Sequence, residues 1–517
     1  MSLGACAGLP AGFTAMTLGR FIRTAERRGA ARPAIHGEGR SLRYGELIER
    51  MNRIGNLARG GWGLSPGDRV ALLAPNCLEY VEIVVGLAEI GIIVATLNSR
   101  LTRAELSTIL DDCSPAVLLV HPTCEALADG LAQNALRVVR IGEGYEDLLA
   151  RAASTKPIAE VPEWAAFSLS YTSGTTGKPK GVLLPHRSRA LTFLAMGVEY
   201  GCFGPDDHFL NVTPLFHGAG FAFACGALAF GGTVTIIDRL DAEDYLRRLS
   251  SGDYTASFLV PTILHRLFAL PESMLGQSRM NRIKSIISNA AALPQTSKER
   301  FADRWGDTLL HETYGSTEAG IVTNIRPADQ LRKQNSCGTP FPLIEIELRD
   351  DDGRMVGDDT VGELFCRGPY TFNGYWNRPQ ETAETLRDGW VTVGDMAWRD
   401  AEGFYHIVDR KKDMVISGGI NIYPREVENV IAGLPGVREV AVVGLPDAEW
   451  GEALHAFIVP AQGATLSGDA ITAACRAQLS GYKVPRGISF IDELPKNAAG
   501  KILKTALRAA ARAKVRA

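Results

Sequence analysis

Short, wholly apolar runs alternate with amphipathic helical stretches through the first three hundred residues, and that alternation restricts the chain to few architectures. DRVALLAP (68–75) predicts a strand, Leu78 to Ile90 a helix, IIVATL (92–97) a strand, Thr102 to Asp112 a helix and AVLLVH (116–121) a strand. A strand that is apolar on both faces belongs in a parallel sheet covered by helices on each side. After a polar, proline-containing linker from Arg151 to Glu163, the rhythm resumes with DHFLNVTP, TVTIID, ASFLVP, IKSIIS and TLLHETYG. The expectation is an α/β fold with two doubly wound layers of similar plan. No internal sequence repeat accompanies them.

The texture changes near Asn324. LIEIELRD, VGELFCRG, GWVTVGD and GFYHIV alternate in polarity and are punctuated by DDGR, RDGW and AEGF, the pattern of an antiparallel, β-barrel-like subdomain. The basic run Arg410-Lys411-Lys412 then precedes a unit of about a hundred residues. In it, Pro424 opens a helix, EVAVVG and LHAFIV read as strands, and an Arg/Lys-studded helix closes the chain. This reads as a small α+β domain on a hinge.

Composition narrows the partners. The 517 residues carry 55 basic and 58 acidic side chains, a net charge of −3, which gives no footprint for nucleic acid or an anionic membrane. The nine cysteines are scattered, and the nearest pair, Cys113 and Cys124, form no CxxC; a reducing cytoplasm is expected rather than zinc or disulfides. No basic residue precedes Arg20, so a secretory leader is not expected. Gly218 to Ile237 is long enough and free of charge, yet its five glycines and the β-branched run after Gly231-Gly232 favour a buried helix and strand over a membrane span. The terminal basic residues read as a solvated helix face.

The stretch YTSGTTGKPKGVLLPH (171–186) carries the most chemistry. From Thr172 to Gly181 it holds only Gly, Ser, Thr, Lys and Pro, offering backbone N–H groups, hydroxyls and two lysines to polyphosphate oxygens. It is not a Walker A loop: two residues separate Gly174 from Gly177, and Pro179 follows Lys178 where that motif needs Ser or Thr opening a helix.

SGTTGKPKG resembles the signature of the AMP-binding, acyl-adenylate-forming superfamily, which includes acyl-CoA synthetases, firefly luciferases and peptide-synthetase adenylation domains. YGSTE (314–318), GELFCRGPYTFNGYW, WVTVGD ending at Asp395, IVDRKKDMVISGGINIYPREVE (407–428) and LPKNAAGKILK (494–504) match further motifs of that family in order. The resemblance implies an adenylation domain over 1–409, a mobile domain over 410–517, and ATP, Mg²⁺ and CoA as reactants. It places ATP or AMP against Thr172, Ser173, Gly174, Thr175, Thr176, Gly177, Lys178 and Lys180, against Asn289, Ala290 and Ala291, and against Tyr314, Gly315, Ser316 and Thr317. Tyr314 would stack on adenine and Thr317 bond the α-phosphate. Asp395 would accept the ribose hydroxyls with Arg410 beside it, and Glu318 would ligate Mg²⁺.

The first half-reaction brings a carboxylate against the α-phosphate, anion against anion. A cation at ~4 Å is worth ~4 kcal/mol at an effective dielectric of ~20, or roughly 10³ in rate. The resemblance assigns that cation to Lys501, making Lys501, Glu318 and Thr317 the catalytic set. Lys412 matches the hinge position, where relatives commonly carry aspartate, so its role is a backbone pivot. Ser417, Gly418 and Gly419, with His217, would line the CoA tunnel, where a side chain would obstruct the passage.

The acyl pocket is expected at His217, Gly218, Val260, Ser288 and Gly315. Segments 217–221, 259–262 and 288–293 contain no Arg or Lys, which favours a hydrophobic monocarboxylic acid, a medium or long fatty acid foremost. An aryl or alicyclic acid, or transfer to a carrier-protein thiol, is the alternative. SNAAAL (288–293) departs from the Ser-Gly-Gly/Ala-Ala-Pro of relatives and puts the acyl preference in doubt. Small molecules are the expected partners, and a homodimer is compatible with the sequence.

Overall fold

The computed structural model describes residues 15–37, 39–131, 136–172, 179–418, 420–447, 449–496 and 502–516, the last five without their side chains. Strands β1 (Pro33–His36) and β2 (Ser41–Arg43) open the chain. The first layer then follows as β3 (Arg69–Leu73), β4 (Ile93–Leu97), β5 (Val117–Val120), β6 (Arg137–Arg140), β7 (Ala166–Thr172) and β8 (Lys180–Pro185). Its order is β6-β5-β3-β4-β7-β8, parallel except for the β7–β8 hairpin. Every residue of β4 and β5 is buried, as their unbroken apolar runs require.

The second layer comprises β9 (His208–Asn211), β10 (Thr233–Ile236), β11 (Ala256–Leu259), β12 (Ser285–Ser288), β13 (Leu310–Ser316), β14 (Gly320–Ile325) and β15 (Thr339–Pro340). Its order is β15-β14-β13-β12-β11-β9-β10-β1-β2. The early hairpin β1–β2 therefore crosses to the second layer and pairs β1 parallel to β10, joining the layers in a way that local patterning does not reveal. The helix Gly218–Ala229 is buried from Gly220 to Ala229 and leads through Gly231 (φ +89°) into β10. Its all-round apolarity reflects an interior position between elements; among the described residues no helix is long and apolar enough to cross a membrane.

A third, antiparallel sheet holds β16 (Glu345–Arg349), β17 (Gly362–Arg367), β18 (Leu386–Arg387), β19 (Trp390–Val391), β20 (Asp395–Arg399) and β21 (Tyr405–Arg410). The smaller C-terminal domain has its own sheet, β22 (Val415–Ser417), β23 (Ile420–Ile422), β24 (Val437–Asp447), β25 (Gly451–Pro460) and β26 (Gly487–Phe490), with a separate core around Val442, Ile458 and Ile471. Pro424 occupies the first turn of the helix Pro424–Ala432, and the following helix, Gly468–Gln478, starts under a Ser467 cap. The sequence expectations of a mixed α/β fold, a large N-terminal domain and a smaller C-terminal one are met.

Candidate active site

The carboxyl ends of the second-layer strands converge on one edge, where ligands of open α/β sheets bind. Register brings together segments far apart in sequence: Leu259 lies opposite Ser288, and Ser288 opposite Glu312. Val260, Asn289 and Gly315 therefore sit on or just beyond adjacent strands. Gly315 tolerates no side chain, because a Cβ there would lie 2.0 Å from the Gly320 carbonyl oxygen across the tight turn that presents Thr317 and Glu318.

Tyr314 and Asp395 meet across two sheets. The Tyr314 hydroxyl donates to Asp395 Oδ2 at 2.6 Å, while Arg410 Nε lies 3.2 Å from Oδ1. Asp395 and Arg410 are direct cross-strand neighbours on β20 and β21, so the pairing follows from register. Burial and the adjacent Asp395 carboxylate push the Tyr314 hydroxyl well above the usual phenol range, and it stays a donor.

Glu318 is buried, and its Oε1 accepts a hydrogen bond from the Tyr375 hydroxyl at 2.8 Å. Lys180 Nζ sits 5.1 Å from the centre of the same tyrosine ring. Backbone bonds from Leu183 N to Gly374 O and from Trp376 N to Gly181 O clamp the β7–β8 hairpin onto this segment. Thr172 and Lys180 face each other at the hairpin mouth. Ser173, Gly174, Thr175, Thr176, Gly177 and Lys178, which join them, lie outside the described residues, as do Gly419 and Lys501. Tyr375 is a functional candidate that motif reading passed over; its signal was the aromatic pair inside GYW.

Asn289 Nδ2 donates to Thr313 Oγ1 at 2.5 Å, and Asn289 Oδ1 accepts from the Ala290 backbone. Ala290, at φ +76°, occupies the left-handed region that glycine adopts without cost; a residue with a Cβ pays of order 1 kcal/mol there. The asparagine ties down the strained alanine that follows it. Ala290 and Ala291 are exposed on the edge, whereas the Ser288 side chain is fully buried beneath it, with its hydroxyl unpaired among the described residues. Below the loop, Lys298 Nζ lies 2.5 Å from Glu312 Oε2, and Glu312 Oε1 accepts from Leu293 N at 2.8 Å. One buried carboxylate thus joins helix, loop and strand.

His217 precedes the helix Gly218–Ala229 as its N-cap residue. Burial, with a smaller contribution from Arg100, pushes its pKa down to about 4 and keeps the ring neutral. Arg189 was absent from the sequence account of this wall. It projects from the helix His186–Tyr200, and its Nη2 comes within 3.7 Å of where a Gly218 Cβ would stand. The absence of Arg and Lys from the three segments expected to line the acyl pocket therefore does not leave Gly218 without a charged neighbour. A signal existed: Arg189, Phe193, Met196 and Tyr200 share one helical stripe, all buried, and an arginine within an apolar stripe is anomalous.

At the junction with the small domain, Lys412 lies exposed in the short turn Lys411–Asp413, its ammonium pKa pushed down chiefly by loss of solvation and then by Arg410. Asp409 spans the junction, accepting from Arg410 N at 2.7 Å and from Arg425 N, in the first turn of the helix Pro424–Ala432, at 2.9 Å. Ser417 is buried, and Gly418 (φ +57°) is held by its N–H to the Trp450 carbonyl at 2.8 Å. A Cβ on Gly418 would lie 2.8 Å from the Trp450 ring.

Comparison with known proteins agrees with this geometry. The AMP-binding enzyme family profile matches residues 21–376, and that of the AMP-binding enzyme C-terminal domain matches 426–501. A feruloyl-CoA synthase of an Amycolatopsis species is 37% identical over 494 residues, covering 94% of this chain and 97% of the relative. A long-chain-fatty-acid–CoA ligase of Escherichia coli O157:H7 is 34% identical, covering 94% and 93%. Among solved structures, the anthranilate CoA ligase AuaEII in complex with anthranoyl-AMP superposes with a TM-score of 0.89 at 28% identity, over 97% of this chain and 98% of that one. The chain belongs to the AMP-binding enzyme family, within the adenylate-forming superfamily.

Proposed function

We propose that this protein is an AMP-forming acyl-CoA synthetase that adenylates a hydrophobic carboxylic acid and then transfers the acyl group to the CoA thiol. The observation that carries the reading is the Asp395 carboxylate, engaged on separate oxygens by Tyr314 and Arg410 and able to exchange these partners for two ribose hydroxyls. Glu318 suits Mg²⁺: Tyr375 engages Oε1, leaving Oε2 for a metal that takes its remaining ligands from phosphate and water. When bound, the metal would neutralise phosphate charge. Thr317 and the 172–180 loop hold phosphate oxygens, and Lys501 faces the α-phosphate during adenylation. The mobile unit begins at Arg410, pivots at Lys412 and presents Ser417, Gly418 and Gly419 to the pantetheine arm during thioester formation. The eight described cysteines are all free, in keeping with a reducing compartment.

A ring-bearing acid is the second reading for the substrate beside a fatty acid. The feruloyl-CoA synthase relative and the guanidinium at the pocket wall both favour it. Pyrophosphate release across a panel of carboxylic acids, with and without CoA, tests the proposal. Acid-dependent release that CoA stimulates is expected. Lys501→Ala should abolish ATP–pyrophosphate exchange yet spare thioester formation from supplied acyl-adenylate. If no acid yields AMP, the reading fails.

A further inference from the structure

Arg189 is anomalous on physical grounds. The residue is 9% exposed, its Nε is buried without a hydrogen-bond partner, and no carboxylate lies within ion-pair distance of it among the described residues. Its neighbour Arg187 has Glu163; Arg189 has nothing comparable. Leaving a guanidinium unpaired in an interior is strongly unfavourable, and burial pushes its pKa down to about 10, still charged at neutral pH. A leucine would fill the same apolar stripe without that cost.

The guanidinium lines a recess of about 10 Å³, room for one water-sized group, together with Thr96, Ser168, Ser170, Phe216 and Gly218. Three hydroxyls and the arginine are its polar groups, set in a mostly apolar lining that includes Phe167, Leu215 and Phe221. Thr96 Oγ1 reaches the Phe216 carbonyl at 3.4 Å and Ser168 and Ser170 share a 3.4 Å contact, while Arg189 Nε has no partner among the described residues. Gly218, next to His217 at the start of its helix, also lines the recess, and a Cβ there would stand 3.7 Å from Nη2.

Resting on the acyl-CoA synthetase reading, we infer that Arg189 is a specificity-determining residue: its guanidinium binds an acceptor oxygen in the tail of the acid, selecting substrates with an oxygen substituent or second carboxylate over plain hydrocarbon acids. The shared chemistry is an electron-rich oxygen, supplied by either a ring hydroxyl or methoxy group or a terminal carboxylate. An oxygen tip fits a water-sized recess; a methylene chain brings nothing to pair with the charge.

The test compares kcat/KM for AMP formation on matched acids: a phenylpropenoic acid without ring oxygens, its hydroxy and methoxy derivatives, a linear monocarboxylate, and the dicarboxylate of equal length. The parent should prefer at least one oxygen-bearing member over its plain counterpart by tenfold or more. Arg189→Leu should collapse that ratio toward unity. Arg189→Lys, which keeps a point charge without the planar fork, should retain more preference for a carboxylate tail than for a neutral ring oxygen. Should Arg189→Leu fold poorly, the parent alone still decides: a tail-oxygen acid must raise its melting temperature more than the plain acid at equal concentration. No tail-oxygen preference in the parent, or a ratio unchanged in Arg189→Leu, overturns the inference, as does a change confined to KM for CoA. These outcomes leave AMP formation intact; absence of AMP with every acid would instead remove the function itself.

Discussion

The buried pair Lys298–Glu312 allows a quantitative test of how the proposed nucleotide edge is held. The two side chains are 1% and 7% exposed, so water screens neither charge. Lys298→Met leaves Glu312 as an uncompensated buried anion, expected to cost about 3–5 kcal/mol, or roughly 10²–10⁴ in the folding equilibrium of the large domain. Glu312→Gln alone strands the lysine and should cost a similar amount. The double variant Lys298→Met/Glu312→Gln carries neither charge, and the glutamine oxygen can still accept from Leu293 N, so its cost should fall well below the sum, with a coupling of at least ~2 kcal/mol. Urea unfolding followed by tryptophan fluorescence, to which Trp305 on the same helix as Lys298 contributes, reads all four proteins. Under native conditions Lys298→Met should also raise KM for ATP, since Leu293 loses its fixed anchor and the 289–292 edge slackens. Single variants costing under ~1 kcal/mol, or strictly additive losses, would refute the reasoning.

Three further outcomes are expected. Tyr375→Phe removes the hydrogen bond on Glu318 Oε1, worth ~1–2 kcal/mol, and should shift half-maximal Mg²⁺ activation about 5–30-fold; an unchanged Mg²⁺ titration would detach Glu318 from the metal. Asp395→Asn loses the charge-assisted bonds with Tyr314 and Arg410 and should weaken AMP binding at least tenfold by calorimetry; wild-type affinity would remove Asp395 from the ribose. Stability should fall as pH drops from ~6.5 toward ~4. Burial holds His186, His208, His217 and His311 each down to about 4, so the unfolded chain takes up protons first; Glu82, pushed up to about 7 by burial, opposes this as a single group. A melting temperature at pH 5 equal to or above that at pH 7 would contradict the assignment of neutral histidines.

The sequence by itself determined β3 to β5 and β9 to β13, because a strand buried on both faces needs an unbroken apolar run, and β4 and β5 show one. It also determined the helix opened by Pro424, where local chemistry leaves little choice. Tyr314, Glu318 and Asp395 stood out only through the family resemblance of the motifs that hold them. Tertiary structure decided what joins what. Crossing of β1–β2 into the second layer, the meeting of Tyr375 with Glu318, and the approach of Arg189 to Gly218 all depend on contacts between residues tens to nearly two hundred positions apart. Periodicity is a local signal and carries no record of such distant neighbours. Arg189 shows the limit most clearly: the helical stripe reveals that it points inward, but only packing reveals that, among the described residues, no carboxylate pairs with it.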